Sequence, residues 1–199
     1  MSRVDPHFLG LEAERWPAPP VGRRLRVLVR ENRRLTMASF TGILAGLYEN
    51  RPLFFLDQPI EYPFFQGSEI SFRTLARFVN RVGNMLRGLG VRRGDRVGLA
   101  TKNRVEMAFV EFGAQKIGAV PVPINYMLRA EEIQQLMSDC GCRVLVTDRA
   151  VFEENIKDRS RVPQIETWIL VSSQKLPGFH DFAEEMSQAS EELEPVAVD

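Results

Sequence analysis

The sulfur and imidazole side chains are the first candidates for chemistry, and their spacing argues against a metal site. Cysteine occurs twice, at Cys140 and Cys142, and histidine twice, at His7 and His180. The histidines are distant from the cysteines in sequence and share no metal-ligand spacing with them. A Cys-x-Cys pair within an extended strand places its side chains on opposite faces, which disfavours a mutual disulfide. We therefore predict two reduced, buried cysteines and no metal site.

Glycine-rich turns that bind phosphate are missing from the sequence. No segment reads Gly-x-Gly-x-x-Gly, and none reads Gly-x-x-x-x-Gly-Lys followed by Ser or Thr. Gly83, Gly88, Gly90 and Gly94 fall within one helical pattern and the turn that follows it. Packing and capping explain these glycines better than contact with phosphate.

The glutamates also have structural explanations. Asn103 followed by Glu106 predicts a capping box, and Glu131 and Glu132 open a helix whose dipole favours acidic side chains at that end. The glutamates at positions 184, 185, 191, 192 and 194 read as a solvated acidic tail. No residue of this chain is therefore predicted to be catalytic, cofactor-binding or metal-binding.

A basic segment lies near the start of the chain. Six arginines stand against one glutamate, Glu31, in residues 21–34. Interleaved apolar residues such as Leu25 and Leu28 make this an amphipathic pattern that suits an anionic membrane surface. The alternative is a solvated helix that packs its apolar side on the domain, and Glu31 and Asn32 favour it by interrupting the cluster. Weak peripheral membrane contact is therefore a hypothesis. The arginines are Arg23, Arg24, Arg26, Arg30, Arg33 and Arg34.

The overall charge argues against nucleic acid as a partner. Lysine plus arginine equals aspartate plus glutamate at 26 each, so no net field attracts phosphate backbones. The first residues include an early proline and acids where a signal peptide needs an apolar stretch, and no apolar run approaches the ~18 residues of a membrane span. We expect a cytoplasmic protein, peripheral to a membrane if the basic segment binds one.

The elements that position these residues alternate between strand and helix. Apolar strands are predicted near 96–101, 119–123, 142–147 and 167–172, each separated from the next by a helix. This order is typical of an α/β fold with a mainly parallel sheet flanked by helices. Before it, the pattern predicts a short helix over 37–48, two aromatic-rich strands, LFFLD and SEISF, around a turn at PIEYPFFQG, and a helix that ends near Gly90.

We divide the chain into three parts. Residues 1–36 form an N-terminal arm that contains the basic segment, because four of the twelve prolines lie there without sustained periodicity. Residues 37–173 form the α/β subdomain. Residues 174–199 form an acidic tail or linker, since few large apolar side chains follow Phe182.

Three short motifs stand in a fixed order along the chain. They are Ile70-Ser71-Phe72 followed by Leu75, then Gly94-Asp95-Arg96-Val97, and then KIGAVPVPIN at 116–125. They resemble, in turn, the first core motif, the GDRV turn and the architectural second core motif of the adenylate-forming family, the AMP-dependent synthetases and ligases. This family includes acyl-CoA synthetases, luciferases and peptide-synthetase adenylation domains, and the resemblance runs from about Leu53 to Ser173.

The resemblance implies the first portion of the large N-terminal domain of such an enzyme. The complete enzyme would use ATP and Mg to convert a carboxylic acid to acyl-AMP and would then transfer the acyl group to coenzyme A. Fatty acids are the expected substrates, because the region from Phe54 to Phe65 and the overall pattern look more like fatty acyl-CoA synthetases than amino-acid-activating domains. The family's phosphate loop and catalytic lysine cannot be placed on this sequence. The chain alone is therefore expected to be an inactive fragment without a cofactor, whose partner would be the remainder of the enzyme.

Two other interpretations stay open at this point. A non-catalytic binding or regulatory module could retain the same fold, and a phosphate loop encoded just after Asp199 would instead favour the enzyme. An unrelated flavodoxin-like domain would need a phosphate or acidic site at the strand ends, which the sequence does not provide.

Overall fold

The computed structural model describes residues 36–194 together with Gly22 and Val196. The basic segment at 23–34 therefore lies outside the described residues. Helix α1, Met37–Tyr48, begins where the sequence predicts it. The Thr36 hydroxyl accepts the backbone N–H of Ser39 at 3.2 Å, and the Ser39 hydroxyl accepts the N–H of Thr36 at 3.1 Å. This reciprocal cap satisfies two donors of the first helical turn.

An antiparallel hairpin of β1, Pro52–Tyr62, and β2, Phe65–Ser71, follows α1. The predicted turn over PIEYPFFQG is wrong in its extent, because only Pro63 and Phe64 lie between the strands. Ile60 and Tyr62 alternate inward and are buried, which holds β1 in the sheet beyond Pro59. The register shifts between Phe55 and Ile60, so Pro59 falls at an irregularity where its missing N–H is tolerated.

The elements that follow β2 are α2 Phe72–Gly88, β3 Arg96–Ala100, α3 Val105–Lys116, β4 Val120–Pro123, α4 Ala130–Cys140, β5 Val144–Asp148, α5 Arg149–Val151 with a π-helical continuation Phe152–Ile156, a 3-10 turn Arg159–Arg161, β6 Thr167–Val171, β7 His180–Asp181 and α6 Phe182–Gln188. Within the described residues, the main sheet has five strands in the order β4-β3-β5-β6-β7, and every pair is parallel. This confirms the predicted parallel sheet and its four strands.

Alternation along the strands divides the core between the two faces of the sheet. Val97 and Leu99 of β3 and Val146 of β5 belong to one buried cluster, which includes residues of α2 and α3. Leu145 and Trp168 point the other way and join a second cluster with residues of α4. Because side chains alternate with a period of two, strands that are apolar throughout require helices on both faces.

Helix α2 lies against α3 at short range because Gly113 of α3 carries no Cβ. A Cβ at Gly113 would approach Val82 Cγ1 to 2.7 Å. Ser71 caps α2 by accepting the N–H of Thr74 at 3.1 Å. Gly90 follows the helix with a φ of 89°, as the sequence predicts for a left-handed residue after the helix end.

The segment after residue 174 packs on the same core. Strand β7 pairs with β6, and Phe182 and Met186 of α6 are fully buried. The expectation of a solvated acidic tail is wrong at Glu191, whose carboxylate accepts hydrogen bonds from Arg77 and Arg81 of α2. The sequence pattern missed this contact because the arginines lie more than a hundred residues earlier in the chain. The domain boundaries after residues 36 and 173 stay predictions.

Candidate functional site

The strand order places one candidate site on the sheet. The chain leaves β3 for β4 on one side and then returns to β5 on the other, so the direction of winding reverses between β3 and β5. Ligands of open α/β sheets bind at the carboxyl ends of the two strands beside such a reversal. We call residues 101–104 and 147–149, which follow or end these two strands, the β3–β5 edge.

A buried carboxylate occupies the centre of the β3–β5 edge. Asp148 is 5% exposed and accepts the backbone N–H of Lys102 at 2.6 Å and of Val151 at 2.9 Å. Beside it, the Thr147 hydroxyl donates to the Ala100 carbonyl oxygen at 2.8 Å. Asp148 therefore caps α5 and ties the end of β3 to the end of β5.

The cations around this edge face carboxylates. Lys102 Nζ lies 3.9 Å from Glu154, and Arg149 Nε donates to Glu153 at 2.7 Å. The Lys102 and Arg149 side chains are 49% and 39% exposed, so their ion pairs contribute little to stability but offset the local positive charge.

Tyr62 and Glu106 form a buried pair that contacts the edge through Arg104. The Tyr62 hydroxyl donates to Glu106 Oε1 at 3.0 Å, and Glu106 is 5% exposed. Burial, and next the nearby Glu106 carboxylate, raise the pKa of Tyr62 far above its ordinary value, so the phenol stays protonated. The predicted capping box of Asn103 and Glu106 is wrong, because α3 begins after Arg104, whose guanidinium lies 3.2 Å from Glu106.

Sequence reasoning missed the Tyr62–Glu106 pair because 44 residues separate its members. The only sequence signal was the inward alternation of β1, which places Tyr62 on the core side. A buried phenol on a core-facing strand usually finds a hydrogen-bond partner, but the sequence does not identify it.

Cys140 and Cys142 lie at the opposite end of β5. Cys142 is buried, as predicted, and Cys140 is partly exposed. The expectation that their side chains point to opposite faces is wrong, because Cys140 ends α4 and Gly141 adopts a left-handed φ of 61°. The two sulfurs lie 3.1 Å apart.

Glu132 and His180 both make structural contacts. Glu132 Oε2 accepts the N–H of Arg129 at 2.8 Å, in agreement with the predicted capping role at the start of α4. His180 Nδ1 lies 2.7 Å from Glu185, and His7 lies outside the described residues. Within residues 36–194, no group of three or more histidine, cysteine, aspartate or glutamate side chains could hold a metal ion.

Comparison with known proteins shows the family. A model of the AMP-binding enzyme family matches residues 54–198. The chain belongs to this family. Among curated relatives, a crotonobetaine/carnitine–CoA ligase of Salmonella arizonae is 36% identical over 122 residues, covering 60% of this chain and 23% of the relative. The long-chain-fatty-acid–CoA ligase FadD13 of Mycobacterium tuberculosis is 39% identical over 77 residues, covering 39% of this chain and 15% of the relative.

Solved structures support the same fold. The anthranilate CoA ligase AuaEII in complex with anthranoyl-AMP has a TM-score of 0.67 and 26% identity, covering 94% of this chain and 31% of that structure. The N-terminal domain of FACL13 from Mycobacterium tuberculosis has a TM-score of 0.67 and 24% identity, covering 82% of this chain and 38% of that structure. The chain thus spans a quarter or less of these curated relatives and about a third of these structures.

The β3–β5 edge does not fit a nucleotide phosphate, which is the ligand that membership of an AMP-binding family suggests. The backbone N–H groups of Lys102 and Val151, which a phosphate would need, already donate to Asp148. The Asp148 carboxylate would also repel a phosphate at that position. The Thr101 hydroxyl is buried there without a partner, but the residue is only 2% exposed and offers no open approach.

No helix within residues 36–194 is long and apolar enough to cross a membrane.

Proposed function

We propose that this chain is part of an AMP-forming acyl-CoA synthetase. The complete enzyme would activate a carboxylic acid, most simply a fatty acid, with ATP and Mg to acyl-AMP and then transfer the acyl group to coenzyme A. The observation that carries the proposal is the AMP-binding family match over residues 54–198 on a fold shared with CoA ligases. The fatty acid is supported by the relative named as a long-chain-fatty-acid–CoA ligase.

The role proposed for the described residues is that of a scaffold. Transfer of an adenylyl group needs donors and cations fixed around the phosphates, and loss of one preorganised donor typically costs about 3 to 4 kcal/mol. The β3–β5 edge supplies no such set. The backbone N–H groups of Lys102 and Val151 donate to Asp148, and the side chains of Lys102 and Arg149 face glutamates. We infer that the 199-residue chain alone does not form an acyl-adenylate.

Pyrophosphate release tests this proposal. The purified chain is assayed with ATP, magnesium, oleate and coenzyme A, first alone and then with the complementing remainder of an acyl-CoA synthetase. The proposal predicts no release by the chain alone and oleate-dependent release by the mixture. Release by the chain alone would show that its residues contain an active site, and the same assay without oleate controls for ATP hydrolysis.

A non-catalytic binding or regulatory module is the second candidate. The observation that favours it is Asp148, which fills the position where open α/β sheets bind their ligands. A module of this kind would bind the remainder, or an intact ligase, without restoring pyrophosphate release. Sedimentation velocity of the mixture, run beside the activity assay, separates the two candidates.

We also propose weak contact of residues 23–34 with anionic membranes, for a protein that is otherwise cytoplasmic. The support is the alternation of six arginines with apolar residues. Co-sedimentation with phosphatidylserine vesicles should fall when all six arginines are replaced by glutamine, and phosphatidylcholine vesicles provide the control. Equal binding by the substituted chain would refute electrostatic attachment.

A further inference from the structure

The turn between α4 and β5 brings the two thiols of the chain together. Cys140 is the last residue of α4, and Gly141 reverses the chain with a φ of 61°. Cys142 follows, separated from β5 only by Arg143. The sulfur atoms lie 3.1 Å apart. Bond formation therefore requires them to approach by only about 1 Å.

The surrounding framework fixes this turn. Arg96 of β3 donates from Nε to the Cys140 carbonyl oxygen at 3.0 Å and from Nη2 to the Gly141 carbonyl oxygen at 2.9 Å. Gly98 of β3 leaves room for the second sulfur, because a Cβ at that position would lie 3.3 Å from Cys142 Sγ. The close approach of the sulfurs is thus imposed by β3 as well as by the turn itself.

The two thiols differ in their access to solvent. Cys142 is fully buried, so a small molecule in solvent meets Cys140 first. Burial, and next the hydrogen bond with Cys140, raise the pKa of Cys142 to about 12. Reaction from solvent should therefore begin at Cys140, and Cys142 should act only as the internal partner.

We propose that Cys140 and Cys142 form a redox-active dithiol that small-molecule disulfides, such as glutathione disulfide, convert to an intramolecular disulfide. In the first step the Cys140 thiolate attacks one sulfur of the oxidant, and the other half leaves as a thiol after taking up a proton. In the second step the Cys142 sulfur attacks the Cys140 sulfur, and the proton of Cys142 passes to the second half of the oxidant, which leaves as a thiol. The two cysteines are oxidised by two electrons, and one disulfide is reduced to two thiols.

This inference does not rest on the proposed function, because its readout is the thiol state of the chain. The new bond would link the carboxyl end of α4 to the start of β5, two elements that already pack together through the second core cluster. We therefore expect oxidation to leave the fold intact and to be reversible by dithiothreitol.

Mass spectrometry tests the proposal. The reduced native chain is incubated with excess glutathione disulfide near pH 8 and quenched in acid. After removal of the glutathione it is denatured, returned to the same pH and treated with iodoacetamide, which alkylates thiolates. We expect a chain lighter by two hydrogens, with loss of both alkylation sites, and dithiothreitol should restore both. The glutathione adduct should stay a minor species in the wild type.

Two serine variants give matched controls. Cys142→Ser should stop at a glutathione adduct on Cys140, whereas Cys140→Ser should stay unmodified when native and react once unfolded in urea. The proposal is overturned if the wild type accumulates the Cys140 adduct with Cys142 still open to alkylation, or if non-reducing gels show only disulfide-linked dimers. If a variant fails to fold, as judged by circular dichroism, the wild-type result decides alone.

Discussion

Arg81 of α2 holds the segment that follows α6, and its replacement should destabilise the chain strongly. Its guanidinium donates to the carbonyl oxygens of Met186 at 2.9 Å and Ala189 at 2.7 Å, and to Glu191 Oε1 at 3.0 and 3.1 Å. It also lies 4.4 Å from the ring centre of Phe64. The Arg81 side chain is only 14% exposed, so water does not readily replace these partners.

The expected magnitude follows from these contacts. Hydrogen bonds that involve a charged group contribute about 1.5 to 3 kcal/mol, and a cation–π contact adds about 0.5 to 1 kcal/mol. Arg81→Ala should therefore lower the free energy of unfolding by roughly 2 to 4 kcal/mol. For a chain of this size that loss corresponds to a fall in Tm of roughly 4 to 16 °C.

Arg77→Ala is the matched control, because Arg77 binds the same carboxylate. Arg77 Nε lies 2.6 Å from Glu191, but its side chain is 52% exposed. An exposed ion pair contributes at most about 1 kcal/mol, so this variant should lose less than that. Urea unfolding followed by circular dichroism measures both variants. Equal losses, or a loss below about 1 kcal/mol for Arg81→Ala, would refute the claim that burial makes Arg81 the stronger anchor.

Other substitutions test the core and the charge network. Tyr62→Phe removes the donor to buried Glu106 and should lower the free energy of unfolding by about 1 to 3 kcal/mol in urea titrations. Gly113→Ala should lower the free energy of unfolding by about 1 to 3 kcal/mol, because the added Cβ overpacks α3 against α2. Gly88→Ala has nothing within 4 Å of the added Cβ and should raise the free energy of unfolding by up to about 1 kcal/mol. The reverse order of stabilities would contradict this packing. Hydrogen bonding to Arg77 lowers the pKa of Glu191 below its ordinary value of about 4.5. The ionised Glu191 carboxylate therefore stabilises the folded chain fully above that pH, and this stabilisation is lost as the pH falls through the lowered folded-state pKa. Unfolding measured from about pH 6 to 3 should show this loss in the wild type and a weaker one in Glu191→Gln.

The main sheet could be predicted because its signals are local. Each strand is a short apolar run, and each helix before it ends near a glycine such as Gly90 or Gly141, which the structure places at positive φ. The predicted hairpin turn is longer than the observed one. Pro59 and Gly67 are residues typical of turns, but the burial of Ile60 and Tyr62 keeps residues 60–62 in strand β1. Local turn residues compete there with tertiary burial, and burial prevails.

The contacts that define the candidate sites could not be predicted, because they join distant parts of the chain. Asp148 and Lys102 are 46 residues apart, and only the parallel pairing of β3 with β5 brings them together. The Cys140–Cys142 contact is local, but it depends on where α4 ends. Because Cys140 is the last residue of α4, the two cysteines lie on either side of a left-handed glycine and are not neighbours within one strand.

The position of Asp148 bears on how an AMP-binding enzyme could be assembled from this chain. In an open parallel sheet, free N–H groups at helix starts make the carboxyl edge attractive to phosphates. Here α5 spans three residues and begins under the Asp148 carboxylate, so that attraction is satisfied internally. The same bonds join β3 to β5 and stiffen the centre of the sheet. We therefore infer that Asp148 makes this edge a rigid part of the scaffold that does not itself hold a phosphate.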